Sequence, residues 1–150
     1  LVVVLALTRQ ALGAGTLPPN QVITSLALIL TFFIMAPTFN EINEKALQPY
    51  MKNQITQQVA LDRGIEPIRN FMFKQTHEKE LALFVRMAKI EKPKNIKDVP
   101  TYVLIPAFVL SELKTAFKIG FIIYLPFKIF FIINYHFLFF ISHSIPFVKE

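Results

Sequence analysis

Cysteine is absent from all 150 residues. Its absence excludes disulfides, thiolate metal sites and cysteine nucleophiles, but it selects no compartment, because membrane proteins often lack it. Tryptophan is missing as well, and acids and bases together make up only 17% of the chain. Set against 53% hydrophobic residues and a mean hydropathy of +0.46, that scarcity of charge separates the sequence from soluble domains of its length and places it with membrane proteins. No long basic block is present. The net charge of +6 comes from lysines and arginines interleaved with acids, which argues against a nucleic-acid partner. There is also no internal repeat and no low-complexity linker. The 16 phenylalanines belong to a bias toward Phe, Ile, Lys and Asn that AT-rich coding DNA produces without selection for aromatic function.

What is present is ordered as apolar, polar, apolar. From Leu1 to Pro37 the only charge is Arg9, and Val22 to Ala36 carries none. Gly13, Gly15, Pro18 and Pro19 supply a turn signal, so residues 1–37 read as an N-terminal apolar helical hairpin. The uncharged run alone would span about 22 Å, short of the roughly 30 Å hydrocarbon core, so Pro19 to Gln21 must extend it or neighbouring helices must bury it.

Residues 38–101 read as a small helical domain outside the bilayer, with a linker. Thr38 and Glu41 have capping-box spacing, for a helix expected to stop near Pro49. Thr56 is expected to cap a second helix reaching Gly64, and Pro67 to open a third through Phe71 and Phe73. Thr76, followed by Glu78 and Glu80, is expected to cap a fourth, with an apolar stripe of Leu81, Phe84, Val85 and Ala88. Pro93 and Pro100 bracket Lys92, Lys94 and Lys97 in a solvated return to the membrane. The domain holds 11 of the 16 basic residues but also 8 acids, and a domain of this length crosses a membrane largely regardless of charge, so composition leaves its side open.

Residues 102–127 form a second membrane segment, and it contains Glu112, Lys114 and Lys118. At about 100° per residue the two lysines share a helix face and Glu112 points away from both, so the acid cannot neutralise them within its own helix. An unpaired charge in low dielectric costs several kcal/mol, so partners on other helices, other chains or a water-filled path are required. An interchain ion pair is preferred over a protonated Glu112 beside Ser111 with snorkelling lysines. Pro37, Pro106 and Pro126 are candidate kink positions, and Gly120 a site of close helix approach. His136 and His143 have no carboxylate or thiolate beside them, so their spacing is read as coincidence rather than as a metal site. His77 reads as a solvated first-turn residue. No nucleophile and base share the apolar regions, so no catalytic, cofactor-binding or metal residue is assigned.

Arg9-Gln-Ala-Leu-Gly13, Pro18-Pro-Asn-Gln21, Thr31-Phe-Phe-Ile-Met-Ala-Pro37, Glu78-Lys-Glu-Leu-Ala-Leu-Phe84, Leu104 to Gly120 and Leu125-Pro-Phe127 together resemble the FliP family of flagellar type III export-gate proteins. The resemblance runs from Leu1 to about Phe127, in the same order and spacing. It implies an all-α membrane protein with no reaction chemistry and no cofactor. Its implied partners are companion Q and R proteins, further copies of itself, other export apparatus proteins and exported flagellar subunits in transit. It also implies a place in the bacterial inner membrane at the flagellar basal body, a periplasmic face for residues 38–101, and a signal peptide upstream of Leu1. Family members continue past Phe127 with a methionine-rich loop and a last hydrophobic hairpin. Met35, Met51, Met72 and Met87 cannot supply that loop, so residues 128–150 read as a divergent tail from a frameshifted or decaying copy. The alternatives are a virulence type III export-gate subunit, a passive membrane-anchored interaction domain, and a non-functional truncated copy.

Overall fold

The computed structural model describes residues 1–91, 93–95 and 98–144. Six α-helices and one π-helical turn are found among them, with no strand: α1 Val2–Ala11, α2 Asn20–Ile42, the π turn Asn43–Leu47, α3 Gln48–Met51, α4 Gln57–Gln75, α5 Glu78–Met87 and α6 Thr101–Ser144. Lys92 and Lys97 of the anticipated linker lie outside the described residues.

The first apolar helix ends where the glycines sit. Gly13 and Gly15 adopt φ of +67° and +60°, a left-handed conformation that residues with a Cβ rarely take. Arg9, in the last turn of α1, donates to the Pro18 carbonyl at 2.8 Å and to Asn20 Oδ1 at 2.9 Å, tying the turn to the start of α2.

The helix start expected at Thr38 is not found. α2 begins at Asn20 and runs through Pro37 and Thr38 to Ile42, so Thr38 is not a cap. Its 23 residues give about 35 Å, enough to cross the hydrocarbon core. Pro37 removes one backbone donor, while the apolar face N-terminal to it, with Phe33 79% exposed, still demands a continuous helix that a lipid or protein neighbour can cover. The helix end expected near Pro49 falls close to it. Pro49 lies in α3, which follows the π turn without a break, and the helical run ends at Met51.

Thr56 does cap α4, its hydroxyl accepting the Val59 N–H at 3.4 Å. The break expected between Gly64 and Pro67 is absent, because α4 continues through both to Gln75. Gly64 packs on the π turn, where a Cβ would lie 3.6 Å from Ala46 Cβ. The cap of α5 is His77 rather than Thr76, which instead closes α4 and donates its hydroxyl to the Met72 carbonyl at 2.7 Å.

Two compact units divide the chain. One takes in Leu28–Thr115, and its core is Met72, Val85, Val99, Val103 and Leu104, packed by Ile68, Phe71, Leu81, Phe84, Ala88, Ile90 and Phe108. The stripe expected on α5 therefore faces this core, and Val99, near the end of the anticipated solvated linker, is buried in it. The other unit combines Leu1–Ala27 with α6 from Ala116 onward. Small residues, Ala11, Ala27, Ala116 and Gly120, are buried there. Leu7 of α1 approaches Gly120, and Gly13, just past the end of α1, approaches Phe131 farther along α6, so α1 runs in the same direction as α6.

α6 is continuous over 44 residues, about 66 Å, and passes through Pro106 and Pro126 without a break. The division anticipated at Phe127 is not a helix boundary.

Candidate functional site

The polar residues of α6 sort by helix face. Val103, Leu104, Ala107 and Ser111 are at most 2% exposed and form the face that meets α4 and α5. A buried hydroxyl needs partners, and Ser111 has two: it donates to the Ala107 carbonyl at 2.8 Å and accepts the His77 backbone N–H at 3.0 Å. That N–H belongs to the cap residue of α5. Ser111 thus holds the start of α5 against α6.

Three residues into that helix, Glu80 is 5% exposed and accepts a hydrogen bond from Lys114 Nζ, with His77 Nδ1 3.7 Å from its other oxygen. The Lys114 ammonium holds the Glu80 carboxyl below the ordinary carboxylate value, against burial, which pushes the other way. Lys114 keeps its side chain 59% exposed, its stem along the protein and its head at the rim. Its partner is therefore on another helix of the same chain.

A second clamp fixes the start of α6. Arg69 of α4 donates to the Val99 carbonyl at 2.7 Å and to Thr101 Oγ1, and its guanidinium lies 5.6 Å from the Phe73 ring centroid. Sequence reasoning passed over Arg69, His77, Glu80 and Ser111 as site residues, since each pairs with a group more than 30 positions away. The available signal was modest: Ser111 and Lys114 are three apart, hence on one face, in a segment where polar side chains are scarce.

Glu112 and Lys118 differ from Lys114. Both are exposed, and neither makes a salt bridge among the described residues. Glu112 lies beside Ile105, Val109 and Leu113, apolar residues that are 42–47% exposed on the side of α6 away from α5. Lys118 lines an open groove of about 440 Å³ with Leu7, Gln10, Phe117, Phe121 and Tyr124. Gly120 is buried there because Leu7 occupies the space where a side chain would stand. Pro37, Pro106 and Pro126 all lie inside helices. His143 stacks on Phe139 at 4.8 Å, and no group of three His, Asp or Glu residues able to hold a metal occurs among the described residues.

α2 with its extension to Met51, and α6, are both long and apolar enough to cross a membrane, and the chain is an all-α membrane protein. The family model of the FliP family matches residues 1–140, and the chain belongs to that family. Among its relatives is the flagellar biosynthetic protein FliP of Bacillus subtilis, 54% identical over 129 residues, which cover 86% of this chain and 58% of that protein. The Pectobacterium carotovorum protein of the same name is 51% identical over 86% of this chain and 50% of its own length. That of Aquifex aeolicus is 50% identical over 86% and 55%. The chain thus spans little more than half the length of these relatives. The family match reaches 13 residues beyond Phe127.

Proposed function

We propose that the chain is a structural subunit of the flagellar type III protein export gate, forming part of the membrane pore through which unfolded flagellar proteins leave the cell. The observation that carries this reading is the FliP family match over residues 1–140, joined to a long apolar helix on which Glu112 and Lys118 are exposed and make no salt bridge among the described residues. Relatives of this chain are named flagellar biosynthetic proteins, which favours the flagellar apparatus over a virulence system. The partners in this reading are the companion Q and R proteins, further copies of this chain and other export proteins, in the inner membrane at the basal body. The subunit works by assembly and carries out no reaction.

Within that assembly Glu112 contacts a cation on a neighbouring subunit. An exposed carboxylate flanked by exposed Ile105, Val109 and Leu113 suits a helix partner that covers the apolar residues and supplies one positive charge. Lys118 does the converse for an acidic group. Lys114 is already engaged by Glu80 and contributes less. Residues 38–101, in this reading, face the periplasm.

The test is co-purification with the Q and R proteins, together with secreted flagellin, in a full-length background. Glu112→Ala is expected to lower complex yield and export while leaving the stability of the free subunit within about 0.5 kcal/mol, because the residue is exposed. Unchanged complex yield and motility would remove the intersubunit contact from the account. Failure of the unmutated protein to co-purify with either companion would remove the export-gate reading itself.

A further inference from the structure

Ser111, Glu80 and Lys114 do more than close a core. The face of α6 that docks on α5 is defined by Val103, Leu104, Ala107 and Ser111, and Lys114 continues it at helical spacing. Apolar contacts alone discriminate poorly between neighbouring rotations of this helix, because Ile105, Val109 and Leu113 on the other side are equally apolar. Polar pairing does discriminate. A rotation by one residue, about 100°, would withdraw the Ser111 hydroxyl from the His77 N–H and leave the nearly buried Glu80 carboxylate without Lys114. The second loss is the larger, since a nearly buried carboxylate would be left without its counter-charge, and the first removes the partner of a helix-cap N–H.

We infer that Ser111, Glu80 and Lys114 form a latch between α5 and α6 that sets the rotation of α6 and thereby selects which of its two apolar faces, the one carrying Glu112, is offered to a partner. The three are positioning residues: they touch no partner and act through Glu112. The inference rests on the assembly reading for its purpose, but the latch itself is a property of the free chain.

That difference makes the two separable by experiment. With no native cysteine, single thiols introduced at Val103 and at Val109 report the two faces without background in the chain as it stands. In detergent, Val109→Cys should react readily with a polar maleimide and Val103→Cys should be protected, since their side chains stand 46% and 2% exposed. Adding Lys114→Glu, which sets like charges against each other at Glu80, should raise Val103→Cys labelling by about tenfold through local opening. Reversing the pair, Glu80→Lys with Lys114→Glu, should restore most of the protection. Continued protection in Lys114→Glu would overturn the latch, and so would a double reversal that labels as fast as the single variant. Should the labelling pattern hold while complexes with the companion proteins fail to form, the assembly reading falls and the latch stands.

Discussion

Gly64 and Gly120 lie inside helices, and replacing either by alanine raises helix propensity by the same amount, about 1 kcal/mol. Their surroundings differ. At Gly64 the new Cβ would rest 3.6 Å from Ala46 Cβ and 3.9 Å from Ile42 Cγ2, ordinary van der Waals distances, so the propensity gain should appear nearly whole. At Gly120 the Cβ would overlap Leu7 Cδ1 and come within 3.1 Å of Leu7 Cβ and 3.2 Å of Cγ. Rotating the leucine can move Cδ1 and Cγ away, but Cβ is fixed to the backbone, so its contact requires α1 to shift by a few tenths of an ångström. Overpacking of this kind costs about 1–3 kcal/mol, which exceeds the propensity gain. Gly64→Ala should therefore stabilise the protein by about 0.5–1 kcal/mol and Gly120→Ala destabilise it by about 1 kcal/mol, with the gap between them measuring the packing cost. Titration with a denaturing detergent in mixed micelles, followed by far-UV circular dichroism, reads both. Leu7→Ala should soften the Gly120→Ala penalty when the two are combined, because Cδ1 and Cγ are gone. If Gly120→Ala proves as stabilising as Gly64→Ala, the parallel seating of α1 on α6 is wrong.

Arg69→Ala should cost about 2 kcal/mol, since two charge-assisted hydrogen bonds at the start of α6 are lost, and hydrogen exchange should quicken first at Val99 to Leu104. Thr56→Ala should cost about 1 kcal/mol with fraying confined to the first turn of α4, visible as lost amide protection at Val59. The Glu80 carboxyl is held below its ordinary value of 4.5, so its contribution to stability is present above that pH and disappears as pH falls through the lower, folded value. Lys114→Met should shrink this acid-dependent loss, and a pH titration of α5 amide protection that is identical in both proteins would contradict the assigned cause.

Signals that act locally were legible in the sequence. Gly13 and Gly15 marked a turn because glycine takes their φ without steric cost, Thr56 marked a helix start because its hydroxyl serves an N–H three residues on, and the stripe on α5 marked a core face by period alone. Proline misled in two places, Pro37 and Pro67. A proline inside a helix removes one hydrogen bond, whereas breaking the helix there would strand several backbone groups in apolar surroundings, and the larger cost prevails. The polar joint stayed hidden for another reason. Glu80 and Lys114 are 34 positions apart, and no period or spacing rule connects residues that meet only once two helices have packed. The cost of an unpaired charge called for a partner for Lys114 and favoured one on another chain, whereas Glu80 of the same chain takes that place.

Helical pitch has one more consequence for α6. Ser111 and Lys114 stand three residues apart and grip His77 and Glu80, themselves three apart at the start of α5, so the two polar contacts share one helical phase. Inserting one residue between Ser111 and Lys114 would turn them out of register by about 100°, so both grips could not be kept together. The spacing of this helix is thus a constraint in its own right, independent of which side chains fill it.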